Sequence, residues 1–281
     1  MAARFKILMI SSMLLVILFV VYEFQPAKYH ALLCMDEKAA KSGSWNSAYD
    51  GYYIGRDGCL YDPALTPFMD VPPVILSGTN NKASPLFYIN GANLRADWVL
   101  AQMHFISKIS GRPVIAIYNS TLGSRLLDLP GDYFWGSRTV DTAARLIKQG
   151  IRLKKQLYFQ ASSQGAVHMS KALQKAAQSV SAVQLNDVNV HTAGGVSLFY
   201  PDGPRYIHLI NLKDPAPEKT GVLSKGAKPG LNAEIVTFSD ENLEPMEVNF
   251  RFLGPLTRLF LRVHGLKTYQ PHFPDAFKSS Q

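Results

Sequence analysis

The chain has 281 residues, of which 47% are hydrophobic and 18% charged, and its net charge is +8. That much apolar material excludes a disordered chain and suffices for one sizeable domain with appendages. The positive excess is spread along the chain with no long run and no basic stripe interleaved with aromatics, so nucleic acid is not an expected partner.

Residues 7–22, ILMISSMLLVILFVVY, carry no charge and follow Arg4 and Lys6. As a helix they span roughly 24 Å, a little short of the bilayer core of about 30 Å, and Phe24 extends them. A cleavable signal needs small residues before the cut, and Ala27 with Gln25 upstream is a poor site. The expectation is a signal-anchor transmembrane helix over 1–23. Arg4 and Lys6 then place the N-terminus in the cytoplasm and the main domain outside it. A cleaved signal and a secreted protein are the alternative.

Residues 24–84 are rich in Gly, Pro, Asn, Ser and Tyr and read as a juxtamembrane segment. Within it GYYIGRDGCLY predicts a hairpin turning at Asp57-Gly58. Cys34 and Cys59, the only cysteines, are a natural candidate disulfide pair in an oxidising compartment, with two free thiols as the alternative. Too few ligands lie near them for a metal site, and no metal or cofactor is expected.

From residue 85 to 281 strand-like and helix-like segments alternate. LFYIN (86–90) precedes a helix whose apolar positions are Trp98, Ala101, Phe105 and Ile109, interrupted by Gln102. RPVIAIYN (112–119) is strand-like. A helix over 139–156 is weakened by Gly150, and LYFQA (157–161) is the next strand. Ala166, Met169, Leu173, Ala176, Ala177 and Val180 mark another helix. DVNVHTA (187–193), RYIHLIN (205–211) and AEIVTF (233–238) are strands. Such alternation predicts an α/β fold with a mainly parallel sheet flanked by helices, its strands apolar throughout.

Between LYFQA and its helix lies ASSQG. A nucleophile at a sharp strand-to-helix turn needs small residues two positions to either side. Ser163 has Ala161 and Gly165, whereas Ser162 has Gln160 and Gln164. Ser163 is therefore the candidate, and a helix cap is the plain alternative for it. The backbone N–H of Gln164 is one candidate oxyanion donor. The turn after FYING supplies a second from Ala92 or Asn93, with Asn90 shaping the turn. A carboxylate and then a histidine should follow. Asp214, in NLKDPAP, is preferred over Asp202 and Asp240, and among the late histidines His264 is preferred over His272.

The segments YINGANLRADWVLAQMHFISKISGRPVIAIYNSTLG, ASSQG, YPDGPRYIHLINLKDPAP and HGLKTY, in this order, resemble a bacterial α/β-hydrolase group distantly similar to class 3 lipases. The resemblance covers roughly residues 85–270. It implies an α/β-hydrolase-like sheet and a Ser163, Asp214, His264 triad; the anchor and residues 24–84 lie outside it, and with the anchor the reading is a membrane-anchored serine esterase. Asn90 departs from it, standing where many hydrolases have His, and Ala161 replaces the first elbow glycine. An ester or lipid-like small molecule is the expected substrate, with 122–136 and 251–263 as candidate lips of an acyl pocket. The alternative is an inactive membrane-tethered domain of the same fold that binds a partner or envelope component.

Overall fold

The computed structural model of the protein describes residues 32–34, 49–92, 94–120, 137–240 and 263–279. The apolar segment 7–22, residues 122–136 and 251–262, His30 and Asn93 lie outside them. Among the described residues no helix is long and apolar enough to cross a membrane.

Among the described residues nine strands form one sheet: β1 (Leu32–Cys34), β2 (Tyr53–Ile54), β3 (Cys59–Tyr61), β4 (Leu86–Ile89), β5 (Val114–Ile117), β6 (Leu157–Ser162), β7 (Val188–Ala193), β8 (Arg205–Asn211) and β9 (Glu234–Phe238). Their order is β1-β3-β2-β5-β4-β6-β7-β8-β9. Pairing is parallel from β5 through β9 and antiparallel among the first three strands and between β2 and β5. The helices are α1 (Ala96–Ser110), α2 (Arg138–Arg152), α3 (Gly165–Ala177), α4 (Ala182–Leu185), α5 (Pro215–Thr220) and α6 (Leu266–Tyr269). The result is a mainly parallel sheet flanked by helices, the α/β architecture that the alternation predicts. Between β2 and β3 the chain turns through Gly58 at φ +73°, a conformation that favours glycine. Cys34 is the Cα partner of Cys59 in the β1–β3 ladder, and Cys59 is disulfide-bonded.

Strand alternation divides the core in two. Phe87, Ile89, Ile115, Ile117 and Phe159 face α2 and α3, meeting Ala143, Ile147, Met169 and Leu173. Leu86, Tyr88, Val114 and Ala116 face α1 and the segment after α6, meeting Val99, Met103, Ile106, Phe273 and Phe277. Each fully buried large apolar side chain contributes about 1.5–3 kcal/mol. Arg112 fixes that late segment. Its buried guanidinium donates to the carbonyls of Phe277 at 2.8 Å and Ser84 at 3.1 Å, and lies 3.7 Å over the Tyr158 ring.

Three expectations are corrected. The buried face of α1 is Ala96, Val99, Met103, Ile106, Ser107 and Ser110, and Ala101 is exposed. Two stripes of helical spacing interleave here, and serines disguise the true one. Ser107 Oγ is satisfied inside by the Arg112 carbonyl at 2.9 Å. Gly150 is a packing requirement, since a Cβ there would stand 2.6 Å from Leu157 Cδ2; α2 ends at Arg152, just before Lys154 adopts φ +51°. The strands are not apolar throughout: His191, Thr192, His208 and Asn211 are buried in β7 and β8, and β9 is largely exposed at the sheet edge.

The two strand histidines are neutral guests of the core. His208 is hydrogen-bonded by Thr192 Oγ1 at 2.8 Å and the Pro229 carbonyl at 3.0 Å. His191 packs edge-on against Phe273 at 5.1 Å, and neither ring nitrogen has a hydrogen-bond partner among the described residues. Burial lowers the pKa of His191 to about 3 and of His208 to about 4, from 6.5. The unfolded chain takes up these protons first, so their contribution is whole above about pH 6.5 and lost as pH falls toward 4. His191→Leu is expected to flatten the fall in Tm between pH 6.5 and 4 and to leave Tm at pH 7.5 unchanged or higher. Thermal melts at stepped pH check this, and a slope equal to that of the unaltered protein would refute it.

Candidate active site

Where neighbouring parallel strands send their connections to opposite faces, their carboxyl ends splay into a crevice. β4 continues into α1 on one face, and β6 continues into α3 on the other. These strands are adjacent, with Ile89 beside Ala161, so the crevice opens between residues 90–92 and 163–165.

Ser163 sits at the tip of β6 with φ +52°. For a residue with a Cβ this backbone costs on the order of 1–3 kcal/mol and persists only where the surroundings impose it. They do so here through three hydrogen bonds. Ser163 N–H donates to the Ala193 carbonyl at 3.1 Å, and the Ser163 carbonyl accepts from Ala166 N–H at 3.1 Å and Val196 N–H at 3.3 Å. The small flanking residues have separate reasons. Ala161 is fully buried between sheet and helices. At Gly165 a Cβ would stand 2.4 Å from the Ile89 carbonyl oxygen and 2.7 Å from that of Asn90. Gly91 abuts the serine from the other side, where an added Cβ would lie 2.9 Å from Ser163 Cβ. The candidate oxyanion donors Gln164 and Ala92 thus flank the hydroxyl-bearing residue, at the start of α3 and in the turn after β4.

The candidate acid and base arrive from the far side of the sheet. Asp214 ends the β8 turn and caps α5. Its Oδ1 accepts from Ala216 N–H at 3.0 Å, the bond of an Asp-Pro helix cap. Its Oδ2 is left to face His264 Nδ1 at 2.5 Å. The other imidazole nitrogen, Nε2, lies 2.7 Å from Ser163 Oγ. Asp214 is fully buried and the His264 side chain only 9% exposed, so little water competes for these bonds. A proton on Nδ1, directed to the carboxylate, leaves the Nε2 lone pair toward the serine hydroxyl.

Two residues near the pair carry no signal in the sequence reading. Tyr269, five residues after His264 at the end of α6, donates to Asp214 Oδ2 at 2.8 Å. Burial first, then the neighbouring carboxylate, push its hydroxyl well above the ordinary tyrosine value, which keeps it a donor. Asn211, fully buried, donates through Nδ2 to the carbonyls of Asp240 at 2.7 Å and Val263 at 3.0 Å. Its Oδ1 accepts from Lys213 N–H at 3.1 Å and Asp240 N–H at 3.2 Å. One side chain therefore holds the acid loop and the residue before His264 in register.

The rival acid and base meet each other instead of the serine. His272 Nε2 lies 2.6 Å from Asp240 Oδ2 and stacks on Phe238 at 3.8 Å. Asp202 accepts from Leu231 N–H in its turn. His168 is bonded to Ser137 Oγ at 3.1 Å, and His104 is exposed on α1 beside the Leu100 carbonyl. Among the described residues no three or more His, Cys, Asp or Glu side chains gather as a metal site.

No family model matches the chain, and no curated protein matches it. Among solved structures it is similar to EstE1, a thermophilic and thermostable carboxylesterase cloned from a metagenomic library. The identity is 12% and the TM-score 0.42, over 70% of this chain and 76% of that one.

Two substitutions test the elbow as a packed and strained unit. Gly165→Ala is expected to cost about 2–3 kcal/mol, because backbone carbonyls rather than flexible side chains block the Cβ. Ser163→Gly is expected to be more stable than Ser163→Ala by about 1 kcal/mol, because only glycine is at ease at φ +52°. Urea denaturation reads both. Equal stability of the two Ser163 variants would show that no strain is held there.

Proposed function

We propose that the protein is a serine hydrolase of carboxylic esters. The observation that carries this reading is the unbroken line from Ser163 Oγ through His264 to Asp214, with bonds of 2.7 and 2.5 Å at a strand-end crevice. In this reading His264 Nε2 removes the Ser163 proton as Oγ attacks the ester carbonyl carbon. The carbonyl π electrons move to oxygen, and the tetrahedral oxyanion is met by the N–H groups of Gln164 and Ala92; Asn93 is the alternative second donor. His264 then gives its proton to the departing alkoxide, which leaves as an alcohol. Water repeats the attack on the acyl-serine with His264 again as base, releasing the carboxylic acid and restoring the hydroxyl. Asp214 holds the imidazole tautomer and stabilises its positive form. Each oxyanion donor is worth about 3–4 kcal/mol in the transition state. No cofactor enters the reaction.

The uncharged segment 7–22 supports a membrane-anchored enzyme and hence a lipid-like ester as substrate. The disulfide at Cys59 supports a catalytic domain held outside the reducing cytoplasm. A secreted form after signal cleavage is the alternative arrangement.

A fluorophosphonate probe tests the chemistry. The folded protein is expected to be labelled on Ser163, and Ser163→Ala to abolish labelling. Asp214→Asn is expected to lower ester-hydrolysis kcat by about three to four orders of magnitude. Absence of labelling on a protein that melts cooperatively would exclude the hydrolase. For the attachment, the full chain is expected to resist carbonate extraction from membranes and to yield to detergent. Recovery in the soluble fraction would remove the anchor.

A further inference from the structure

Asn90 and Asn119 lie at the ends of adjacent strands, β4 and β5, on the side of β4 away from Ser163. Both are buried, and every amide hydrogen of the two side chains is used. Asn90 Nδ2 donates to the Gly91 carbonyl at 2.9 Å and to the Asn119 carbonyl at 2.8 Å. Asn90 Oδ1 accepts from Asn119 N–H at 2.9 Å. Asn119 Nδ2 donates to the Asn90 carbonyl at 3.3 Å and to Gln164 Oε1 at 3.1 Å. The two amides therefore form a closed strap across β4, with one arm on the turn after β4 and the other on the residue after Ser163.

The arm on the turn matters because of peptide geometry. The Gly91–Ala92 bond is trans, so its carbonyl and its N–H point in opposite directions. Asn90 draws the Gly91 carbonyl toward the β5 side. With that carbonyl held there, a trans peptide leaves the Ala92 N–H to the opposite side, and on that side the neighbour of β4 is β6, the strand that carries Ser163. A free Gly-containing turn would rotate this peptide at little cost, and in the reversed state the carbonyl oxygen would face the oxyanion instead of the N–H.

We propose that Asn90, held by Asn119, is a positioning residue that locks the Gly91–Ala92 peptide with its N–H facing the ester oxyanion. The lock rests on the hydrolase reading above. It acts on the transition state and not on ground-state binding, because the ester carbonyl acquires its charge only during attack. It also accounts for asparagine at position 90: a side chain that donates twice from one nitrogen can hold both the Gly91 and Asn119 carbonyls.

The test uses Asn90→Ser and Asn119→Ser in the full chain, assayed on p-nitrophenyl esters and with a trifluoromethyl ketone, which forms an oxyanion when the serine adds to it. Asn90→Ser is expected to lower kcat about thirtyfold with KM within about threefold, and to weaken the ketone by about the factor lost in kcat/KM. Asn119→Ser is expected to do the same to a lesser degree, and it carries the test if Asn90→Ser fails to melt cooperatively. Asn189→Ala is the structural control. That buried amide bonds the Leu157 carbonyl at the opposite end of the sheet, and its loss is expected to lower Tm while leaving kcat unchanged. An active protein whose Asn90→Ser and Asn119→Ser forms keep full kcat and ketone affinity would overturn the lock and leave the hydrolase standing. A change confined to Tm, matching Asn189→Ala, would also overturn it. An inactive unaltered protein would instead overturn the hydrolase reading and the lock with it.

Discussion

The close approach of α3 to the end of β4 is the constraint on which the rest of the site depends. It exists because residue 165 has no side chain, so the first turn of the helix lies directly on the Ile89 and Asn90 carbonyls. From that contact follow the positive φ at Ser163, the abutment of Gly91 on the serine, and the reach of the Gln164 side chain across β4 to Asn119. A helix displaced outward by one methyl group would slacken all three. The strain at the serine is thus a by-product of packing that is favourable elsewhere, which is how a costly backbone conformation persists in a marginally stable fold.

The second half of the site is assembled differently. Asp214 and His264 come from chain segments separated by fifty positions, and neither belongs to a long element. Their register depends on single buried polar groups. Asn211 ties the β8 turn to Val263, Tyr269 ties α6 to the carboxylate, and Gly194 leaves room for both. A Cβ on Gly194 would meet Tyr269 Oη at 2.8 Å and His264 Cε1 at 3.2 Å. Hydrophobic burial brings these segments near one another, but it is non-directional and cannot set an imidazole to within a few tenths of an ångström. Fully satisfied polar contacts supply that precision.

Much of the fold was legible because buried parallel strands and amphipathic helices leave plain periodicities. RYIHLIN matched its strand from end to end, and the elbow serine was distinguished from its neighbour by steric demands written two residues away. What the periodicity could not give was the face of α1, because Ser107 and Ser110 are buried with their hydrogen bonds satisfied inside. Nor could it foresee His191 and His208 inside strands, which are tolerated only as neutral groups. The triad candidates were reached by chain order, yet His264 and His272 differ in nothing that spacing can rank. Geometry separates them by pairing His272 with Asp240. Asn90 was legible as shaping its turn, but the shared pattern was not: FYIN, IAIYN and HLIN each end in asparagine at the carboxyl end of a strand, and each of these three side chains ties loops together around the crevice.

The order in which the parts are made also matters. All nine strands precede residue 240, whereas the covering segment with Phe273 and Phe277, and the imidazole beside it, come only after residue 262. Without that segment the face bearing Leu86, Tyr88, Val114 and Ala116 would be covered by α1 alone. The segment whose Phe277 carbonyl accepts from Arg112 also holds His264 beside Ser163, so both contacts rest on one late stretch of chain. Loss of residues 263–279 would therefore strip Phe273 and Phe277 from the interior and the imidazole from Ser163 together.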